Sequence, residues 1–235
     1  MFRRLSFFSF AALVIACSGG PPAVQHSAIM QPGGTIVVTN LGGDINAYAP
    51  ARSEAADRYT IAAYASSPDA LSIAYSRLLV TATARKPGVR FLLRAPRGTA
   101  LDLSTQNGNI GVADYDGIVN AHTVHGDIKM LIPAYGSAST GTGNISVIFA
   151  SDTWPGTLHF SAENGNVEVY VNQTAKARVR MHTDDGTVFS DFNLTGTSHG
   201  NSETIDAPIN GGGPRSIDVE VKHGSIRVMQ LKPQI

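Results

Sequence analysis

Few residues in this chain have types and spacings that could do chemistry. His122-x-x-His125-x-Asp127 offers two imidazoles and a carboxylate, the donor types that hold a divalent ion. The alternative is a turn, because His125 precedes a glycine just as Asn107, Thr142, Asn164, Asp185 and His223 do. Asp102 with Asp218, or Asp184 with Asp185, would be the carboxylate pairs for general acid–base work if the fold brought them together. Asp102 and Asp218 share an outward column with Val37, Asn120, Ser137, His159 and Arg180, which reads as a mixed solvent face, and adjacent turn residues point apart. No phosphate loop, nucleophile elbow or Cys–His pair is present. No catalytic residue, metal ligand or cofactor is therefore assigned. Arg85, Lys86, Arg90, Arg94 and Arg97 form the densest basic segment. It suits anionic lipid headgroups or acidic glycans, or it merely solubilises early strands and protects an edge. Tyr135 and Trp154 could stack on sugar rings, or each could close a corner over the core. Arg90, Arg94, Tyr135 and Trp154 are thus the candidate partner surface.

The elements that must position these groups are strands. The 235 residues carry 18 basic and 18 acidic side chains, and only 15% are charged. With 43% hydrophobic residues the chain can bury a core, which excludes wholesale disorder. Zero net charge excludes a general nucleic-acid binder. A lone cysteine, Cys17, allows no internal disulfide and no multi-cysteine metal site. Residues 1–16 place Arg3 and Arg4 before an apolar run that is too short to span a bilayer, which is the pattern of a secretory signal. Residues 17–33 have Gly and Pro at both ends and read as a flexible tether.

A repeat fills the rest. Gly43, Gly108, Gly126, Gly143, Gly165, Gly186 and Gly224 align, with central spacings of 18, 17, 22 and 21 residues. Two residues after each stands a β-branched aliphatic: Ile45, Ile110, Ile128, Ile145, Val167, Val188 and Ile226. Apolar and polar positions alternate on both sides of each glycine, so every row is strand, turn, strand with one buried face. The residue after the glycine is Asp, Asn, Thr or Ser, a type that bonds to nearby backbone amides. Three before it, Thr105, Thr123, Thr140 and Thr183 can turn a hydroxyl toward the turn backbone. One turn chemistry repeated every ~20 residues favours a parallel β-solenoid, whose rows stack ~4.8 Å apart. An antiparallel sandwich or barrel with Asn-Gly hairpins is the alternative.

Two resemblances add to this reading. Val14-Ile15-Ala16-Cys17 resembles the lipobox of bacterial lipoproteins, which implies a lipid on Cys17, anchoring to the cell envelope and, in a Gram-negative cell, an outer-membrane address. Pro96-Arg97-Gly98 followed by Thr-x-x-Gly-Asp/Asn-Ile rows at Thr105, Thr123 and Thr140 resembles the bacterial adhesin-domain family. It is also similar to the head domain of "putative auto-transporter adhesins", which implies a right-handed β-helix. The expected organisation is a signal peptide (1–16), a tether (17–33) and one solenoid (34–232). Within the solenoid, 34–105 would form irregular N-terminal coils, 106–192 regular repeats, and 193–232 a loop and the last coil. The expected function is a non-enzymatic envelope lipoprotein presenting a surface to a glycan or protein partner. Control of envelope-stress signalling and a carbohydrate-active β-helix enzyme are the alternatives.

Overall fold

A computed structural model describes residues 20–50, 56–132 and 135–231. The chain begins with β1 (Val24–Ile29), β2 (Thr35–Asn40), β3 (Ile45–Tyr48) and β4 (Arg58–Tyr64). A 3-10 turn (Pro68–Ala70) leads to β5 (Leu71–Tyr75), β6 (Leu79–Ala84) and β7 (Arg90–Arg94). The regular coils follow as pairs: β8 (Ala100–Asn107) with β9 (Ile110–Ala113), and β10 (Ile118–His125) with β11 (Ile128–Ile132). Next come β12 (Tyr135–Thr142) with β13 (Ile145–Phe149), and β14 (Thr157–Asn164) with β15 (Val167–Asn172). The chain closes with β16 (Ala177–Asp185), β17 (Val188–Ser190), β18 (Thr197–His199), β19 (Ser202–Ile209), β20 (Ser216–His223) and β21 (Ile226–Leu231).

These strands form two facing sheets. Sheet 1 runs β1-β4-β7-β3-β9-β11-β13-β15-β21-β17, and sheet 2 runs β18-β19-β16-β20-β14-β12-β10-β8-β2-β6-β5. Each coil contributes one strand to sheet 2, crosses at the glycine turn, and contributes one strand to sheet 1. All pairings between coils are parallel. Antiparallel pairs occur only at the two ends, where β1, β4 and β5 cap one and β18 and β19 cap the other. The chain is therefore an all-β solenoid, and Asn107-Gly108 and its equivalents are coil corners rather than hairpins. Ile45, Ile110, Ile128, Ile145, Val167 and Ile226 stack in register between the sheets, each no more than 1% exposed.

Two expectations are corrected. The stretch read as a tether contains β1, which pairs along its whole length with β4. Its Gly and Pro residues flank the strand, and the alternation in Val24, His26 and Ala28 was strand signal. Second, coil order is not chain order. The coil β20/β21, expected last, lies between β14/β15 and β16/β17. Likewise β2/β3 lies between β6/β7 and β8/β9. Strand length gives the physical reason. β20 pairs along its length with both β14 and β16, and β21 pairs over all six residues with β15, whereas β17 has 3 residues and suits an edge. In sheet 2, β19 lies outside β16 and carries Pro208, whose missing N–H blunts further pairing. Cys17 lies outside the described residues.

Candidate functional site

The recurring polar residues are consumed by the corner itself. Thr105, Thr123 and Thr140 are buried, and each hydroxyl donates to the carbonyl of the preceding coil's glycine, at 3.1, 3.0 and 3.0 Å. Thr183 does the same to Gly224 at 3.0 Å. Leaving that hydroxyl and carbonyl unpaired would cost ~1–3 kcal/mol. The Asx column forms a second ladder. The amides of Asn109, Asp127 and Asn144 each donate at 2.8 Å to the side-chain oxygen of Asp44, Asn109 and Asp127 respectively. Asn166 continues it to Asn144 at 3.0 Å. The glycines are required by close approach: a Cβ on Gly126 would run into the carbonyl of Gly108, and one on Gly143 into that of Gly126.

The candidate chemistry of the sequence does not assemble. Among the described residues, no three of His, Cys, Asp and Glu converge as a metal would require. His122 instead bonds through Nδ1 to Ser139 Oγ at 2.7 Å. Asp102 and Asp218 sit in one outward column of sheet 2 with three coils between them, since β8 and β20 are separated by β10, β12 and β14. One polar line does resemble a relay: Thr204 Oγ1 meets His182 Nδ1 at 2.9 Å, and His182 Nε2 meets Asp184 Oδ1 at 3.1 Å. All three lie on the outer face of sheet 2, with the His182 and Asp184 side chains 48% and 62% exposed, so the line is open to water.

The four partner-surface residues separate. Trp154 is 4% exposed, packs edge-on against Phe149 with centroids 5.2 Å apart, and donates Nε1 to Ser216 O at 3.3 Å. It closes a corner over the core and is removed from the candidate surface. Its large apolar ring gains more from burial than from solvent contact. Tyr135 is half-buried at the start of β12, on the opposite sheet from Arg90 and Arg94. Arg90 lies over the Tyr64 ring at 4.9 Å, and Arg94 over Tyr48 at 5.3 Å with Nε donating to its hydroxyl at 2.8 Å. These cation–π pairs sit on the outer face of sheet 1.

That face carries more than the basic segment indicated. Leu131, Ile148, Tyr170 and Met229 are register partners on four successive coils, all half-buried and facing outward. Lys129, Ser146, Glu168 and Arg227 form the polar column beside them. Burial and then Glu168 push the Tyr170 hydroxyl above its ordinary value of 10.0. A recess of about 170 Å³ opens among Asn166, Glu168, Ser225 and Arg227. A second, of about 250 Å³, lies at the C-terminal end against Phe189, Leu194, Glu203 and Ile205. The sequence signal for the stripe was present: five residues after six of the seven aligned glycines stand Tyr48, Ala113, Leu131, Ile148, Tyr170 and Met229, and Asp191 follows the seventh, Gly186. A strand with solvent on its outer side would have a polar residue there.

No family model matches the chain, and none of the curated proteins does. Among solved structures, a "putative cell adhesion protein" from Clostridium sporogenes is similar at 10% identity, with a TM-score of 0.48, over 88% of this chain and 99% of that one. A "putative adhesin" from Bacteroides fragilis is similar at 11% identity, with a TM-score of 0.36, over 88% and 96%. A third, from Parabacteroides distasonis, has 11% identity and a TM-score of 0.24, over 88% and 96%.

Proposed function

We propose that the chain is a non-enzymatic lipoprotein of the cell envelope that displays its β-solenoid to a glycan or protein partner, in adhesion or a related binding role. One observation carries this reading. The Thr, Asx and Gly columns that dominate the repeat are each engaged in coil-to-coil bonding, so among the described residues the recurring polar positions leave no convergent reactive set. What remains are two long outer faces, the geometry of repeat surfaces that bind by distributed contacts. The lipid anchor rests on Val14 to Cys17 in the sequence.

The Thr204–His182–Asp184 line favours a hydrolytic alternative, and one assay separates the two. Folded protein is presented with envelope glycans in the presence and absence of EDTA, and both retention and chain cleavage are followed. The display reading expects retention without cleavage, indifferent to EDTA and to His182→Ala. Cleavage abolished by His182→Ala would replace it with the enzyme. Intact mass and membrane fractionation of Cys17→Ser test the anchor separately, which should be lost.

A further inference from the structure

The two outer faces carry opposite charge. The strands of sheet 1 hold Arg58, Arg90, Arg94, Lys129 and Arg227 against a single carboxylate, Glu168. The strands of sheet 2 hold Arg178, Arg180 and Lys222 against seven carboxylates on the outer side and its corners: Asp102 and Glu163, Asp184 and Asp185, Asp206, and Asp218 and Glu220; Glu203 points inward, where it accepts from Val188 N. None of these groups is buried. A negatively charged plane therefore attracts sheet 1 and repels sheet 2, and it does so along the length of the solenoid.

The positive face is also the apolar one. The stripe Leu131–Ile148–Tyr170–Met229 crosses four coils, about 14 Å at the usual strand spacing. Phe189 on β17, 52% exposed, stands at one end of the sheet, and Ile29 on β1, 57% exposed, at the other. Cations beside an apolar stripe with tyrosines among them are the composition of a surface that lies in a lipid interface.

We infer that the outer face of sheet 1 rests on an anionic lipid bilayer, which turns the acidic, hydroxyl-rich sheet 2 toward the surroundings. The inference deepens the display reading by assigning one face to the membrane and the other to the partner. Two copies joined through sheet 1 would set cations against cations. Sheet 1 of one copy on sheet 2 of another would set the apolar stripe on Ser137, Ser139 and Ser161, gaining no apolar burial. An acidic polysaccharide would match the cations but leave Leu131, Ile148 and Met229 without apolar partners.

Because Cys17 is the only cysteine, the full chain with Cys17→Ser accepts a single reporter thiol. Ile148→Cys and, as an exposed alternative, Lys129→Cys place an environment-sensitive dye on sheet 1; Ser139→Cys places it on sheet 2. The variants keep residues 1–16, so any contribution of that segment is common to all. With vesicles of equal phosphatidylglycerol and phosphatidylcholine, the sheet 1 dyes should shift to the blue and the sheet 2 dye should not. Pure phosphatidylcholine should give at least a tenfold weaker affinity, and Lys129→Glu with Arg227→Glu should abolish the Ile148→Cys response. The inference is overturned if the sheet 1 dyes do not respond, or if the sheet 2 dye responds equally. It is also overturned if the shift appears without vesicles as protein concentration rises, or with polygalacturonate but not vesicles. Any of these leaves the display reading standing, because that depends on retention of a partner and not on lipid.

Discussion

Replacing Gly126 by alanine tests whether the stacked corners hold the solenoid together. Gly126 has φ of +150°, a conformation that costs an L side chain ~1–3 kcal/mol. Its added Cβ would also run into the Gly108 carbonyl and lie 3.2 Å from the amide of Asn109. Relief requires the two corners to move apart. That separation strains three bonds: Gly108 N to His125 O at 2.9 Å, Thr123 Oγ1 to Gly108 O at 3.0 Å, and Asp127 N to Asn109 Oδ1 at 2.8 Å. At about 1 kcal/mol each they add ~3. Gly126→Ala should therefore cost ~4–6 kcal/mol. Gly98 is the control. It also has positive φ, +74°, but a Cβ there meets nothing within 4 Å, so Gly98→Ala should cost only ~1–2 kcal/mol. Urea unfolding of both variants, with m-values compared, measures the difference. Equal losses at the two glycines would refute close approach as the reason for the glycine column.

The other expectations concern the ladders and the ends. Thr123→Val should cost ~1–3 kcal/mol, because the part-buried Gly108 carbonyl loses the donor that the buried Thr123 supplies, and chemical denaturation reads the loss. Arg178 holds the Asp206 carboxyl below its ordinary value of 3.8, through a 2.6 Å hydrogen bond that pins β19 to β16. A depressed folded-state value means that this contribution is fully present above the unfolded value and is lost as pH falls through the folded one. Protection against amide exchange in β19, taken relative to the intrinsic rate at each pH, should therefore fall on acidification below about pH 4; Asp206→Asn should remove that dependence, and an unchanged profile would contradict the assignment. Deleting residues 216–235 should abolish cooperative unfolding rather than trim one end, because β20 and β21 lie inside the sheets; a chain that keeps a sharp transition would contradict that topology.

Much of the fold was legible because the repeat writes its own geometry. The isoleucine column at 45, 110, 128 and 145 and the threonine column at 105, 123 and 140 are buried as their spacing requires. Coil order was not legible, since one row's inward residues fit against any other row's, and only strand length distinguishes a central coil from an edge. β1 was hidden for a related reason: Gly and Pro at its flanks dominated the composition of a short segment. Trp154 could not be placed because a corner aromatic looks the same in sequence whether it points in or out. The outward stripe of sheet 1 was written in the sequence five residues after Gly126, Gly143, Gly165 and Gly224. It was masked because an apolar residue between two buried ones reads as a stronger strand rather than as a different surface.

The position of β20 and β21 also bears on how the chain assembles during synthesis. The ribosome releases β16 and β17 before the coil that separates them from β14 and β15 exists. Met181 and Thr183 repeat the inward pattern of Phe160 and Ala162, so the side-chain pattern alone does not bar β16 from the place beside β14 that β20 takes. Productive folding has to hold that place open, or reopen it, until the final twenty residues arrive. The last step is then an intercalation between two preformed ladders rather than an addition at a growing tip. Such a step involves contacts far apart in sequence and is slow. A chain without β20 and β21 leaves the ladders of β14 and β15 unpaired on one side, and unpaired strand edges are aggregation-prone.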